Sequence, residues 1–122
     1  MGYYSNFDLE IVSNLEIDVL EIIKDFRNTY DYAEYALNEN GDSEQDAKWY
    51  DYQSELTDFS KKYPHCLFIM TILGEDGYEH KCYAQNGKTY GVDMVKYYPP
   101  FDPDKLEVLE EWLIYIPQNL PA

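Results

Sequence analysis

The chain has 122 residues, and its 24 Asp and Glu residues against 9 Lys and Arg residues give a formal net charge of −15. This length favours one domain, and a hydrophobic share of 45% is enough for a packed core. So negative a protein repels nucleic-acid backbones and anionic lipids, and we expect no direct binding to DNA, RNA or a membrane. No apolar run reaches the roughly 18 residues of a membrane span, and the first ten residues lack a signal-peptide pattern. We therefore expect a cytoplasmic protein.

The first half of the chain predicts one strand followed by two helices. Residues 3–12 alternate apolar and acidic side chains, as a half-buried strand does. Ser13 and Glu16 form a capping-box pattern at the start of the first helix. Apolar residues then recur at helical spacing, and helical character extends to about residue 36. The apolar stripe of this helix comprises Leu15, Val19, Ile22, Ile23, Phe26 and Tyr30.

The second helix is predicted to begin at residue 42 or 43 and to end by Pro64, because the residue before a proline disfavours helical dihedral angles. Steps of three and four residues separate the members of its apolar stripe. That stripe comprises Trp49, Tyr52, Leu56, Phe59 and Tyr63.

The second half of the chain predicts strands at 66–73, 78–85 and 88–98, and a last helix that opens at Asp102 and runs to residue 116. The order β-α-α-β-β-β-α indicates a single α+β domain over residues 1–122, with a four-stranded, mainly antiparallel sheet packed by helices. The predicted core comprises Leu9, Ile11, Val19, Ile22, Ile23, Phe26, Trp49, Tyr52, Leu56, Phe59, Phe68, Met70, Leu109, Trp112 and Leu113.

The two cysteines, Cys66 and Cys82, are too few for a disulfide framework or a four-ligand zinc site. A hairpin closed by residues 74–77 would pair Cys66 with Gln85 and Cys82 with Ile69. This register places the two sulfurs on opposite faces of the sheet. We therefore expect free, buried thiols.

Catalytic patterns are missing from the sequence. It contains no nucleophile elbow, phosphate-binding loop or dinucleotide-binding glycine pattern, and the histidines His65 and His80 are not expected to converge. We therefore predict that the protein is not an enzyme and uses no cofactor or metal. Residues 38–42 do not fit the spacing of a calcium loop, although the sequence leaves open whether calcium binds the acidic surface.

The negative charge is concentrated in residues 1–58, where fifteen acidic residues face three basic ones. On the predicted second helix, Asp51, Glu55 and Asp58 lie about one turn (roughly 5–6 Å) apart, opposite the apolar stripe. This spacing is close to that of neighbouring phosphates along a nucleic-acid strand. The alternative is a solvated acidic face that serves solubility. The candidate partner-binding residues are Asp51, Glu55, Asp58, Glu44, Asp46, Glu16, Glu21 and Asp25.

Tyrosine is the commonest aromatic residue, with 14 copies, and it suits protein interfaces because it offers a large contact area with a polar tip. The alternative is that each tyrosine merely replaces Phe at a half-buried position. Candidates for a tyrosine-rich interface lie at strand ends, after the first helix and on the hairpins: Tyr3, Tyr4, Tyr97, Tyr98, Tyr30, Tyr32, Tyr35, Tyr78, Tyr83 and Tyr90.

Three stretches carry a resemblance: GYYSNFDLEI, AKWYDYQSELTDFSKKYPHCLF and ILGEDGYEHKCYAQNGK. Together they resemble a family of small acidic proteins of phages and bacterial mobile elements, which pair a GYY start with a KWYD…SKKYP helix and an NGK turn. The helix-then-strand pattern also resembles ferredoxin-like domains of other phage and plasmid proteins. The likeness covers residues 2–12 and 47–88, its motifs are structural, and it carries over no catalytic residue.

The resemblance implies a phage or mobile-element context, where small acidic proteins often neutralise host defence nucleases. Combined with the charge, it suggests a non-enzymatic inhibitor that binds a basic, nucleic-acid-binding host nuclease or its complex by nucleic-acid mimicry. Such an anti-CRISPR or anti-restriction protein would act in the cytoplasm of the host cell. The alternative is a regulatory or structural interaction module that uses tyrosine-rich surfaces. An exposed edge strand or a tyrosine patch could also support a homodimer.

Overall fold

The computed structural model describes residues 4–94 and 99–109. Its five strands form one antiparallel sheet in the order β1-β2-β3-β4-β5. The α+β class is confirmed, and the sheet has one strand more than predicted. In chain order the elements are β1 (Ser5–Val12), α1 (Val19–Thr29), α2 (Asp31–Ala36), α3 (Tyr52–Ser60), β2 (Leu67–Gly74), β3 (Glu79–Gln85), β4 (Lys88–Asp93), a 3-10 turn (Pro103–Lys105) and β5 (Glu107–Val108).

The main core lies between the helices and one face of the sheet. Pairing of β1 with β2 and of β2 with β3 sets Leu9, Met70 and Cys82 side by side on this face. Phe26 of α1 and Leu56 of α3 belong to the same buried cluster. Alternation along each strand therefore sends one set of apolar side chains toward the helices, as the sequence predicts.

The other face of the sheet carries a second, smaller core. Tyr83 and Tyr90 are directly opposite each other on β3 and β4, with ring centroids 5.0 Å apart. Phe101 stacks on Tyr90 at 6.0 Å, and Leu106 packs against the same cluster. The segment from 99 to 109 thus covers this part of the outer face.

The first helix begins later than the capping box predicts. Its N-cap is Asp18, whose carboxylate accepts a hydrogen bond from the backbone N–H of Glu21. Ser13 instead accepts from the N–H of Leu15 at 3.1 Å, and Leu15 is exposed rather than part of the apolar stripe. The predicted start was wrong because Asp18, three residues before Glu21, caps the helix instead, directly before the buried residues Ile22 and Ile23.

The second predicted helix is also shorter, since residues 37–51 form no helix. This segment runs along the edge of β1: the N–H of Leu9 donates to the carbonyl of Gly41 at 2.7 Å, and Ser5 exchanges two backbone hydrogen bonds with Ala47. The sheet edge therefore satisfies backbone groups that a helix would have paired internally. As a result, Glu44 and Asp46 lie in a loop and not on a helix.

The β2–β3 hairpin differs from the predicted register by one residue. Cys82 pairs with Met70 and Tyr83 with Ile69, because Gly74 still pairs and the turn begins after it. Both cysteines therefore join the same core cluster, and the prediction of opposite faces was wrong. The prediction of free, buried thiols is confirmed, and burial raises the pKa of Cys82 to about 12.

The last predicted helix is replaced, as far as residue 109, by the 3-10 turn and β5. Asp102 caps the turn by accepting from the N–H of Asp104 at 3.0 Å, and the N–H of Leu106 closes it on Pro103. The cap and the proline were recognised correctly, but they start a single turn. Predictions that involve Tyr3, Tyr97, Tyr98, Trp112, Leu113 and Ile116 lie outside the described residues.

Candidate partner-binding surface

Four carboxylates from separate parts of the chain form what we call the acidic face: Asp31 at the start of α2, Asp51 just before α3, and Glu55 and Asp58 on α3. Asp31, Asp51 and Asp58 are exposed, and Glu55 is half-buried. Burial raises the pKa of Glu55, and the negative charges of Asp51 and Asp31 raise it further. Asp31, Asp51 and Glu55 are therefore close enough to influence one another, and Asp58 and Glu55 both act on Tyr30.

Glu55 does not project freely into solvent, as its predicted position opposite the apolar stripe would require. Its carboxylate accepts a hydrogen bond of 2.9 Å from the indole Nε1 of the buried Trp49. Burial raises the pKa of the nearby Tyr30 to about 12, with further contributions from Asp58 and Glu55. Asp58 also forms an exposed ion pair with Lys61 at 3.5 Å, which is worth little in water. Asp51 and Asp58 are thus the members of α3 and its cap best placed for a partner.

Asp25, another predicted site residue, is already engaged within the fold. Its carboxylate lies 2.7 Å from the ammonium group of Lys62 and accepts a 2.6 Å hydrogen bond from the hydroxyl of Tyr63. Both contacts hold the pKa of Asp25 below its ordinary value, and the bond to Asp25 raises the pKa of Tyr63 to about 12. This carboxylate ties α1 to the end of α3.

The remaining predicted acids are exposed but belong to other parts of the chain. Glu16 precedes α1 and Glu21 lies in its first turn, whereas Glu44 and Asp46 lie in the loop beside β1. The charges of Asp51 and of Asp31, which was not predicted from the sequence, both act on Glu55. The feature of the sequence that could have singled out Asp31 is its position between Tyr30 and Tyr32.

A groove of about 410 Å³ borders the acidic face, and we call it the tyrosine groove. It is lined by Tyr4, Asp31, Tyr32, Tyr35 and Lys48. The ammonium group of Lys48 lies 4.8 Å from the ring centroid of Tyr4, so a cation already rests on one of the groove's aromatic faces. Because Asp31 belongs to both features, the groove and the acidic face are continuous.

A smaller cavity of about 100 Å³, which we call the aromatic cavity, is lined in part by Trp49 and by Tyr52, the first residue of α3. In it the hydroxyl of Tyr52 lies 2.5 Å from Nε2 of His80. Burial lowers the pKa of His80, against the opposing influence of Asp93, so the imidazole is neutral at pH 7. This cavity was not predicted from the sequence. Its lining residues are Ser5, Phe7, Trp49, Tyr50, Tyr52, Ile72, Gly74, Tyr78 and His80.

The hairpin tyrosines do not form the alternative interface expected from the sequence. Tyr83 and Tyr90 are buried, Phe101 packs against both, and the hydroxyl of Tyr90 accepts from the N–H of Asp102 at 2.9 Å. Tyr78, in contrast, is exposed. Among residues 4–94 and 99–109, the exposed tyrosines line the groove (Tyr4, Tyr32 and Tyr35) or the aromatic cavity (Tyr50 and the hairpin residue Tyr78).

Two further properties complete the description of the surface. Among residues 4–94 and 99–109, no helix is long and apolar enough to cross a membrane. In the same part of the chain, no three His, Cys, Asp or Glu side chains are arranged to hold a metal ion.

Comparison of the chain with protein-family models, with curated proteins and with solved structures gives no match.

Proposed function

We propose that this protein is a non-enzymatic binding protein whose acidic face docks on a basic surface of another protein. One observation carries the proposal: Asp31, Asp51 and Asp58 present exposed carboxylates beside the half-buried Glu55, whose pKa is raised by burial and then by the charges of Asp51 and Asp31. Like charges gathered in this way are unfavourable within the folded chain. A cationic partner would convert that repulsion into attraction.

The finer form of the proposal is inhibition by nucleic-acid mimicry. The exposed Asp51 and Asp58 are separated by about two helical turns, with the half-buried Glu55 between them, and the chain's net charge is −15. A groove that binds nucleic acid presents Lys and Arg side chains at phosphate spacing. The partner would then be a host nuclease or its complex, and blocking its groove would be an anti-defence activity.

A second candidate function is favoured by the tyrosine groove. Tyr32 and Tyr35 are both exposed on α2, and such rings supply contact area at low conformational-entropy cost. Under this alternative the protein is a regulatory or structural interaction module, and its acids serve solubility. The two functions differ in how salt affects binding, because screening weakens an interface of charges far more than one of tyrosines.

The test is capture of partners by the immobilised protein at low and at high salt, followed by competition with duplex DNA and RNA. A mimic should retain a basic protein at low salt and lose it at high salt. Added nucleic acid should release the same protein, because both occupy one groove. Retention that resists salt and nucleic acid would favour the tyrosine alternative and contradict mimicry.

A further inference from the structure

We infer that the folded protein undergoes a spontaneous covalent modification, deamidation, at Asn40, and that the fold protects Asn86 from the same reaction. The sequence contains two Asn-Gly pairs, Asn40-Gly41 and Asn86-Gly87, and both asparagines are exposed. Neither pair belongs to the acidic face, so the reaction is separate from the proposed function.

Deamidation of an Asn-Gly pair is an intramolecular acyl transfer followed by hydrolysis. The backbone nitrogen of the glycine gives up its proton and attacks Cγ of the asparagine. A C–N bond forms there, and the side-chain amide takes up a proton and leaves as ammonia. Water then opens the resulting succinimide ring at either carbonyl and produces aspartate or isoaspartate. The net change is the gain of one water and the loss of one ammonia. Glycine favours the attack because it has no Cβ to obstruct it.

Two geometric conditions decide whether a folded Asn-Gly pair reacts. The glycine N–H must leave its hydrogen bond, and its nitrogen must lie on the same side of the asparagine Cα–C bond as Cβ. Both glycines are hydrogen-bonded here: the N–H of Gly41 donates to the carbonyl of Asn38 at 3.0 Å, and that of Gly87 donates to the hydroxyl of Ser60 at 2.9 Å. The two sites therefore differ in the conformation of the asparagine and in what holds the acceptor.

Asn86 has a conformation that keeps the reacting groups apart. Its φ is +49°, and an L residue with such a φ is confined to the left-handed region, where ψ is about +30° to +60°. At these ψ angles the Gly87 nitrogen lies on the opposite side of the Cα–C bond from Cβ of Asn86. Attack therefore requires a large rotation inside a two-residue turn, whose flanking residues Gln85 and Lys88 are paired across the strands.

The acceptor for Gly87 is also fixed in the core. Ser60 is 0% exposed, and its hydroxyl donates to the carbonyl of Thr57 at 2.6 Å. The side chain of Lys61 covers the glycine, since a Cβ at Gly87 would lie 3.0 Å from its Cε and Cγ. Rotation at the turn would withdraw the glycine N–H from this buried hydroxyl, which costs free energy.

Asn40 lacks the first of these restraints. Among residues 4–94 and 99–109, Asn86 is the one non-glycine residue with a positive φ. The backbone of Asn40 is therefore outside the left-handed region, and its turn lies outside the strands.

The acceptor for Gly41 is held less firmly. It is the carbonyl of Asn38, within the same exposed turn. The bond from Leu9 to this segment ends on the carbonyl of Gly41, which belongs to the next peptide group and does not fix the nitrogen. The turn can thus release the attacking nitrogen without breaking a strand pair.

The experiment incubates the full chain in mildly alkaline buffer, which promotes loss of the glycine amide proton, and follows both sites by peptide mass spectrometry. In the folded protein we expect deamidation at Asn40 to be at least about fivefold faster than at Asn86, the factor that corresponds to one net hydrogen bond of about 1 kcal/mol. In urea the two rates should converge, because the fold alone distinguishes the two pairs.

A matched pair of serine variants tests the role of the buried acceptor. Ser60→Ala removes the acceptor of the Gly87 N–H, and we expect it to speed deamidation at Asn86 by about fivefold relative to Asn40. Ser54→Ala, at an exposed position of the same helix, should change neither rate. The rate at Asn40 reports global opening of the fold in either variant.

Three results would overturn the inference: equal rates at the two sites in the folded parent, a faster reaction at Asn86, or an unchanged ratio of the two rates in Ser60→Ala. If Ser60→Ala does not fold, the comparison of the folded parent with the parent in urea decides the matter without it. A ratio that stays the same in urea would then contradict protection by the fold.

Discussion

The indole Nε1 of Trp49 donates a 2.9 Å hydrogen bond to the carboxylate of Glu55. Trp49 is 2% exposed and forms part of the aromatic cavity, whereas Glu55 belongs to the acidic face. The bond therefore joins the two features of the surface. It also means that Glu55→Lys would leave a buried N–H without its acceptor, at a cost of about 1–3 kcal/mol. Glu55→Gln keeps an acceptor and removes the charge.

Replacing Phe59 with Ala should lower the free energy of unfolding by about 3–5 kcal/mol. Phe59 is buried, and its ring centroid lies 5.0 Å from that of Phe26 and 5.8 Å from that of Phe68. It thus joins α1, α3 and β2 in one cluster. Urea unfolding followed by circular dichroism measures the change. Leu20→Ala, at an exposed position of α1, should stay within about 0.5 kcal/mol of the parent, and a Phe59 variant as stable as that control would contradict the core described here.

Gly41→Ala should destabilise the fold more than Gly77→Ala. Both glycines have positive φ, +88° and +85°, so each alanine pays roughly 1–2 kcal/mol for the left-handed conformation. A Cβ at Gly41 would also lie 2.6 Å from the carbonyl oxygen of Leu9, whereas one at Gly77 meets nothing within 4 Å. Thermal unfolding of both variants isolates the steric contribution, and equal losses would show that residue 41 does not lie against β1.

Asp25→Asn should cost about 1 kcal/mol at neutral pH, because it removes the ion pair with Lys62 and weakens the bond from Tyr63. The pKa of Asp25 is lowered in the folded state. Its contribution is therefore complete above the unfolded value and is lost as the pH falls through the folded pKa.

Urea unfolding of parent and variant at pH 7 and at about pH 2 measures this difference. The deficit of Asp25→Asn should be present at pH 7 and vanish in acid. Glu39→Gln, which removes a carboxylate from an exposed loop position, serves as the control and should show little deficit at either pH. A deficit of the same size at both values would mean that the charge of Asp25 is not what stabilises the contact with α3.

His80→Gln should reduce the dependence of stability on pH. Burial lowers the pKa of His80 in the fold, so the unfolded chain binds its proton more readily, and the free energy of unfolding falls as the pH drops below about 6.5. Glutamine does not titrate and can still bond to the hydroxyl of Tyr52. The measurement is the change in the free energy of unfolding between about pH 7.5 and pH 5.5, in the parent and in His80→Gln. The difference between the two slopes isolates His80 from groups that titrate in both proteins.

His65→Gln, the same substitution at an exposed position, is measured alongside. A His80→Gln variant whose stability falls with pH as steeply as that of the parent would contradict the burial of this imidazole beside Tyr52.

The strands and their faces could be predicted from the sequence because alternation fixes them. Phe7, Leu9 and Ile11 point into the main core as the pattern indicates, and the Asn86-Gly87 turn has the positive φ angles that its residues favour. The register of the β2–β3 hairpin was missed because Gly74 can end a strand or begin a turn. This shift of one residue pairs Cys82 with Met70 instead of Ile69 and so places it on the same face of the sheet as Met70.

The length of the second helix could not be predicted from its apolar stripe. Trp49 is buried at the spacing the stripe requires, yet the residues before Tyr52 satisfy their backbone along β1 through Ser5 and Leu9. That pairing joins Ser5 to Ala47 and Leu9 to Gly41, positions far apart in the chain, and no local pattern encodes it. The same holds for the site: the acidic side of α3 was visible in the sequence, whereas its closeness to Asp31 depends on how α2 packs.

The central claim is that the acidic face binds a basic partner, and it is tested by one comparison of affinities. The charge variant combines Asp51→Lys and Asp58→Lys with Glu55→Gln, which keeps the acceptor for Trp49. The control variant makes the same change in net charge at exposed acids elsewhere: Glu10→Lys, Glu39→Lys and Glu75→Gln.

The measurement is the dissociation constant of each variant for the captured partner, by calorimetry at low salt, with circular dichroism to establish that all three proteins are folded. We predict a loss of tenfold or more for the charge variant, because each reversed acid now faces a Lys or Arg of the partner, at about 1.4 kcal/mol per tenfold. The control should lose much less. Equal affinity of parent and folded charge variant, or an equal loss in both variants, would contradict the account.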